Sequence, residues 1–292
     1  MPSIKNLLFV INPISGGKSK EDVTKQIDRY LDLKKFSYSI YWWEEVEGLK
    51  AVVQPFINEK GYAIVAVGGD GTINSIASYL VNSETRLAVV PMGSGNGLAR
   101  ELNISRNTVK ALQSLNTHVD QKIDFGFINN DVFINVAGIG FDALVSHSFA
   151  AIEKRGFWSY AKAVIGDFGK TSDLQFSFSY DGHTVVKNAF MLSIANGTQW
   201  GSNFYVSPNA SYSDGLLDFV FVRKPKLIQV PWFLICLYLR KNHSHIEIIQ
   251  AKEARIGLPK SLFYHVDGEP KYEISEANIS IKKHGVKLLA PK

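Results

Sequence analysis

The chain has 292 residues, enough for one large domain or two medium ones, and its 46% hydrophobic and 20% charged content is ordinary for a folded globular protein. Its net charge of +5 fits an anionic ligand or an acidic surface, but no block of like charge and no Cys/His or RNA-binding motif is present, which sets a nucleic-acid partner aside. A single cysteine, Cys236, excludes an internal disulfide framework and points to a reducing, cytoplasmic compartment.

In chain order, "NLLFVI" (6–11) reads as a buried strand; it has neither the length nor the cleavage site of a signal peptide. "EDVTKQIDRYL" (21–31) has helical periodicity, "FSYSIYWW" (36–43) is strand-like, and "LKAVVQPFINEK" (49–60) is helix-like despite Pro55. "AIVAV" (63–67) predicts a strand, "INSIASYLV" (73–81) a helix, "RLAVVP" (86–91) a strand and "GLARELN" (97–103) a helix start. Short apolar runs separated by helical patterns predict parallel βαβ units.

Near residues 120–125 the pattern changes. "KIDFGFINNDVFINVAGIGF" (122–141) and "QFSFSYDGHTVVKNAFMLSIAN" (175–196) read as hairpins turning at Asn129-Asn130 and Asp181-Gly182. "GLLDFVFV", "SLFYHVDGE" and "NISIKKH" continue the strand-rich character, and a helical stretch at about 143–169 interrupts it. The expectation is an antiparallel, sandwich-like second domain. The run "LIQVPWFLICLYL" (227–239) is too short to span a bilayer and contains Pro231. Bracketed by basic residues in "KPKLIQVPWFLICLYLRK", it reads either as a buried core helix with solvated ends or as a segment lying on an anionic interface.

Three segments of the first part share one form, apolar strand then glycine loop then helix: "FVINPISGGKSKEDV", "VAVGGDGTINSI" and "VVPMGSGNGLAR". In a parallel sheet all three loops fall at the carboxyl edge, where open α/β folds bind ligands. Each leads into a helix N-terminus that favours anions, and glycine lets backbone approach phosphate oxygens. Singly, each also reads as a plain tight connection with a polar N-cap. "NPISGGKS" lacks the first glycine of a Walker A loop, and "GGDG" places Asp70 where a dinucleotide fingerprint needs other spacing, so neither template applies. In the second part "HVDGEP" (265–270) puts Asp267 and Glu269 around a glycine, a surface turn when seen alone. His243 and His245 have no partners at zinc spacing.

Taken together these residues resemble the diacylglycerol kinase catalytic-domain family, which includes sphingosine and ceramide kinases and bacterial soluble lipid kinases. "NPISGG", "GGDGTIN" and "PMGSGNGLAR" are similar to its first-domain blocks, and "NVAGIGFDA", "ANGTQWGSNFYVSPNASYSDGLLDFV" and "HVDGEP" to its second-domain blocks, in order over nearly the whole chain. The resemblance implies an α/β N-terminal domain with a parallel sheet, NAD kinase/phosphofructokinase-like, at 1–123, and a C-terminal antiparallel β-sandwich domain at 124–277. In such families the chain's end, here 278–292, often returns to the first domain, and the active site lies in the interdomain cleft.

The resemblance also implies ATP with Mg²⁺ as phosphoryl donor and a lipid hydroxyl as acceptor, foremost diacylglycerol or a related glycerolipid. Carried onto this sequence, Asn12, Ser15, Gly16, Gly68, Gly69, Asp70, Gly71, Thr72, Ile73, Asn74, Gly93, Ser94 and Asn96 would hold the nucleotide. Glu269 would be the base on the acceptor hydroxyl, and Asp70 would join a magnesium–water network. A structural metal would sit at Asp214 with backbone oxygens of Ser211 and Leu216. Ser94 stands where Thr is commonest, and Gly97 where many bacterial members have Asp. The resulting "GSGNG" leans toward sphingosine and ceramide kinases, which are the alternative acceptor class. An NAD kinase-like enzyme is the next reading, though its Asn-Glu pair is not found where the second domain begins. A non-catalytic nucleotide- or lipid-binding module is the last, with both Asp70 and Glu269 arguing against it. The implied partner is a lipid substrate at a membrane surface, with the protein peripheral to it and a homodimer compatible with the sequence.

Overall fold

The computed structural model describes residues 4–13, 21–43, 46–93, 95–150, 164, 166–169, 171–201, 203–241 and 243–292. They form two compact units, 1–125 with 283–292, and 126–282.

In the first unit β1 (Asn6–Ile11), β2 (Ser37–Trp42), β3 (Tyr62–Gly68) and β4 (Arg86–Pro91) make a parallel sheet in the order β2-β1-β3-β4. These strands alternate with α1 (Glu21–Tyr30), α2 (Val46–Val53) and α3 (Asp70–Leu80), and are followed by α4 (Gly97–Glu101) and α5 (Thr108–Leu115). β3 and β4 are buried along their whole length except Tyr62, because helices cover both faces of a parallel sheet; hence the unbroken apolar runs in the sequence. From β1 the chain passes to β2 on one side, and from β3 to β4 on the other. The order therefore reverses between β1 and β3, the switch point where such sheets leave a crevice. Pro55 does not lie inside a helix: α2 stops at Val53 and a 3₁₀ turn, Gln54–Phe56, carries the proline. Proline has no N–H and its ring meets the carbonyl four residues back, so the α-helical ladder ends there.

The remaining strands are β5 (Val119–Ile128), β6 (Asp131–Phe133), β7 (Val136–Gly140), β8 (Leu174–Tyr180), β9 (His183–Ala189), β10 (Met191–Ala195), β11 (Gln199–Gly201), β12 (Phe204–Tyr205), β13 (Leu217–Val222), β14 (Ile246–Ala251), β15 (Glu253–Val266) and β16 (Glu269–Ala290), with helices α6 (Phe141–Ala150) and α7 (Val230–Tyr238). In the second unit β14-β13-β10-β7-β15 pair in antiparallel fashion, β15 also pairs with β8 and β16, and β8 with β9. β10 and β13 are buried on both faces. Leu192, Ile194, Leu217, Phe219 and Phe221 enter one core with Phe176 and Phe178 of β8, the sandwich interior. Met191, Val220 and Val222, pointing the other way by strand alternation, pack with Phe141 of α6 and Phe233 and Leu237 of α7.

The turn at Asp181-Gly182 has both residues at positive φ (48° and 76°), the type I′ geometry that matches strand twist. The hairpin at Asn129-Asn130 pairs Ile128 with Asp131, but its second arm breaks after Phe133. The N–H groups of Ile134, Asn135 and Val136 leave the ladder for the carboxylate of Asp267. "NISIKKH" is part of β16, 22 residues long, whose end returns to the first unit as Lys287 and Leu288 pair in parallel with Arg86 and Leu87 of β4.

Candidate active site

The loops after β1, β3 and β4 lie on neighbouring strands of the first unit and are tied to one another. Asn12 donates from Nδ2 to Thr72 Oγ1 (3.0 Å) across the switch point, joining the first loop to the second. Gly68 and Pro91 are opposite in register, and the Met92 N–H donates to the Gly68 carbonyl (2.7 Å), joining the second to the third. The two loops then approach so closely that a Cβ on Gly93 would lie 2.6 Å from Gly69 Cα, well inside contact distance. Only glycine fits there, for space and not for φ.

Asp70 is the first residue of α3, and its carboxylate reaches the next loop. Oδ2 accepts the N–H of Asn96 (2.7 Å) and Oδ1 that of Gly97 (2.8 Å), the donors at the start of α4. A negative charge at a helix N-terminus is favourable, so the charge is matched by α4 instead of facing an unscreened phosphate. Asn96 is itself buried, with φ of 51°, a left-handed conformation that asparagine tolerates. Its side chain accepts the Gly93 N–H (3.0 Å) and donates to the Gly93 carbonyl, while Arg100 Nε donates to the Gly95 carbonyl (2.8 Å). The N-terminus of α3, by contrast, has Gly69 as its N-cap and no side-chain cap. A helix of 11 residues that begins uncapped in a glycine loop offers N–H donors and positive potential to an anion.

The structure thus brings Asn12, Gly68, Gly69, Asp70, Thr72, Gly93 and Asn96 into one set of bonded loops. Gly71 and Ile73 follow in the first turn of α3, where Ile73 is buried, and Asn74 continues the helix. Ser15, Gly16 and Ser94 lie outside the described residues.

In the second unit Asp267 and Gly268 form the two-residue turn of the β15–β16 hairpin, at φ of 48° and 85°, with Val266 opposite Glu269. Asp267 accepts three N–H groups at 2.8–2.9 Å, from Ile134, Asn135 and Val136, and its own N–H donates to the Val136 carbonyl (2.9 Å). Glu269, two residues on, is exposed, and its carboxylate makes no hydrogen bond or ion pair among the described residues. Beside the turn lies a polar cluster that sequence reading missed. Asp142 Oδ2 accepts the Ser193 hydroxyl (3.0 Å) and lies 3.3 Å from His265 Nε2, Trp200 Nε1 donates to Ser193 Oγ (3.2 Å), and the Gly268 N–H donates to His265 Nδ1 (3.3 Å). Gly138, paired with His265, leaves room for it: a Cβ would meet Asp142 Oδ2 at 2.1 Å. Asp142 and His265 are 123 residues apart, so only "GFDA", "ANGTQW" and "HVDGE" as separate motifs signalled it.

Tyr264, buried before His265, donates its hydroxyl to Asp131, and burial first, then that bond, pushes its pKa well above the ordinary phenol value. Ser211, Asp214 and Leu216 lie in the loop before β13. Asp214 is exposed, with Oδ1 accepting the Leu216 N–H (2.9 Å), and Tyr212 anchors the loop by donating to Asn135 Oδ1 (2.7 Å). Among the described residues no cluster of three or more His, Cys, Asp or Glu side chains gathers to hold a metal. A cation here would depend on one carboxylate and backbone carbonyls, an all-oxygen donor set that suits a hard ion.

The family model described as the diacylglycerol kinase catalytic domain matches residues 6–128, and that described as the YegS C-terminal NAD kinase beta sandwich-like domain matches 135–288. Diacylglycerol kinases of Staphylococcus aureus strains bovine RF122 / ET3-1 and MRSA252 are each 25% identical over 306 aligned positions, covering 98% of this chain and 93% of theirs. The crystal structure of a diacylglycerol kinase from Bacillus anthracis str. Sterne superposes with a TM-score of 0.74 at 20% identity, covering 98% of this chain and 96% of that one, a likeness of fold. With both of its units matched in order, the chain belongs to the diacylglycerol kinase catalytic-domain family.

Proposed function

We propose that the protein is an ATP-dependent lipid kinase that phosphorylates a lipid hydroxyl, with diacylglycerol or a related glycerolipid as acceptor. The observation that carries this reading is the bonded set of three glycine loops, in which Asp70 fastens the start of α4 and leaves α3 uncapped as an anion site. The curated relatives named diacylglycerol kinase support the acceptor class.

In this reading the backbone around Gly68, Gly69 and Gly71, the Thr72 hydroxyl and the Asn12–Thr72 bond fix the triphosphate in line for attack. Glu269 accepts the proton of the lipid hydroxyl as its oxygen bonds to the γ-phosphorus; the bond from that phosphorus to the β,γ-bridging oxygen breaks, and ADP leaves with the electron pair. Mg²⁺, when bound, offsets the charge that builds on the phosphate oxygens. Asp70 would hold that ion's water while its carboxylate, bonded to the Asn96 and Gly97 N–H groups, keeps the two loops in register. Asp214, with the carbonyl oxygens of Ser211 and Leu216, would hold a second, structural cation.

The test is γ-labelled ATP offered with diacylglycerol, phosphatidylglycerol, sphingosine, ceramide and NAD, followed by product identification. Label in phosphatidic acid is the expected result. Label in the sphingoid bases moves the acceptor to the alternative class, and label in NAD with none in lipid overturns the reading.

A further inference from the structure

We infer that α7 and the 3₁₀ turn before it, Leu227–Gln229, form a docking surface for an anionic lipid bilayer, with the helix lying in the plane of the interface. The inference deepens the lipid-kinase reading and rests on it for the purpose of the contact.

Seven of the thirteen large hydrophobic side chains most exposed among the described residues fall within 227–239. Leu227 is 75% exposed, Ile228 87%, Trp232 57%, Tyr238 54% and Leu239 51%. Only Phe233, Cys236 and Leu237, one turn apart on one face, are buried, and Phe233 and Leu237 join the core against β10 and β13. The segment is therefore not the buried core helix that its composition allows. A helix apolar on all sides is stable inside a core or in lipid, and this one has only its inner third in a core. On the outer side Leu234, Ile235, Tyr238 and Leu239 line a shallow groove with Phe204. Nine residues of helix are far too few to cross a bilayer, and no helix among the described residues is long and apolar enough to do so.

Charge selects the occupant. From 219 to 246 the sequence has no carboxylate but carries Arg223, Lys224, Lys226, Arg240 and Lys241, placed at the two ends of the apolar patch. Arg223, Lys226, Arg240 and Lys241 are exposed, and Arg240 lies over the Tyr205 ring (4.0 Å) at the rim. Trp232 and Tyr238 supply the amphipathic rings that settle at headgroup depth. A second copy docked by the same face would bring two basic collars together with no acid in the segment to answer them, whereas an anionic surface answers both.

The experiment is co-sedimentation of the full chain with phosphatidylcholine vesicles, with and without phosphatidylglycerol. It compares wild type, Leu227→Ser/Ile228→Ser and Lys226→Glu/Lys241→Glu, with near-ultraviolet circular dichroism as a check on folding. Wild type should partition to the anionic vesicles, the serine pair should weaken this by about tenfold or more, and the glutamate pair should weaken it in low salt with a difference that shrinks in high salt. Partition unchanged by the serine pair overturns the inference. So does a wild-type dimer that the serine pair dissociates with no vesicle binding, which gives the face to a second copy. A short-chain diacylglycerol, dispersed as monomer, separates the two readings. Equal phosphorylation of it by wild type and serine pair, with activity on vesicles lost, supports both. Serine-sensitive partition with no lipid ever phosphorylated keeps the docking surface and removes the kinase reading. Phosphorylation with serine-insensitive partition does the reverse.

Discussion

Asp70 and Asp267 look alike in the sequence, each beside glycine after an apolar strand, and both give their carboxylates to backbone N–H groups of a remote segment. Their neighbourhoods differ. Asp70 bonds a helix start 26 and 27 residues downstream, within one layer of loops. Asp267 bonds a chain segment 131 to 133 residues upstream and pins the tip of a hairpin. In the first unit one carboxylate both organises the loops and stands among them. In the second the tasks are divided, with Asp267 holding the turn and Glu269 carried beyond it into solvent.

The sharpest break of that comparison is Glu269→Gln. The substitution removes the proposed base and touches no hydrogen bond or ion pair among the described residues, so turnover should fall by about 10²- to 10⁴-fold, equal to roughly 3–5 kcal/mol, with thermal stability unchanged. Steady-state rates and melting curves on the same sample check it; a loss of stability would return Glu269 to a structural role.

Asp267→Ala should show the opposite balance. Three partly buried N–H groups lose a charged acceptor, at a cost of about 3 kcal/mol or more. Because the chain has two compact units, urea unfolding followed by probes in each should move the transition of 126–282 and leave that of the first unit in place. Equal movement of both would mean that the turn does not act locally.

Asp70→Asn lies between them. The amide keeps one acceptor for the α4 donors but sets an NH₂ against the other, a cost of about 1–2 kcal/mol, and turnover should drop as well. Full activity at reduced stability would leave Asp70 as a helix clamp alone.

What was legible in the sequence follows the range of the interactions. The parallel unit could be read because strands buried on both faces are continuous apolar runs, as at 63–67 and 86–91, and because glycine loops mark the strand ends. The hairpin turns at 129–130 and 181–182 were equally local. The helix read over 49–60 stops as an α-helix at Val53, with Pro55 in a 3₁₀ turn, a matter of which turn tolerates a missing N–H. The Asp267 clamp, the Asp142–Ser193–His265 cluster and the Asp70 bond to α4 were not legible, since each pairs residues that only the fold brings together. Nor does composition say which side of α7 is left outside, because all its sides are apolar.

The smallest expected effect extends the comparison to a group of opposite charge type. At His243 the backbone N–H of His245 donates to Nδ1 (3.2 Å), which requires that nitrogen bare and so favours the neutral ring. Where such N–H groups bond the carboxylates of Asp70 and Asp267, here one holds an imidazole uncharged. Partial burial, and second the charge of His245, lower the His243 pKa below its ordinary value. With the folded pKa below the unfolded one, His243 has no effect on stability above about pH 6.5. It costs stability as pH falls from there through the folded value, and the cost is constant below that. Proton NMR titration should place His243 below 6.5, and His245→Gln should raise it part of the way back, burial retaining the remainder. A titration at the ordinary imidazole value in the wild type would show that the N–H of His245 does not select the neutral ring.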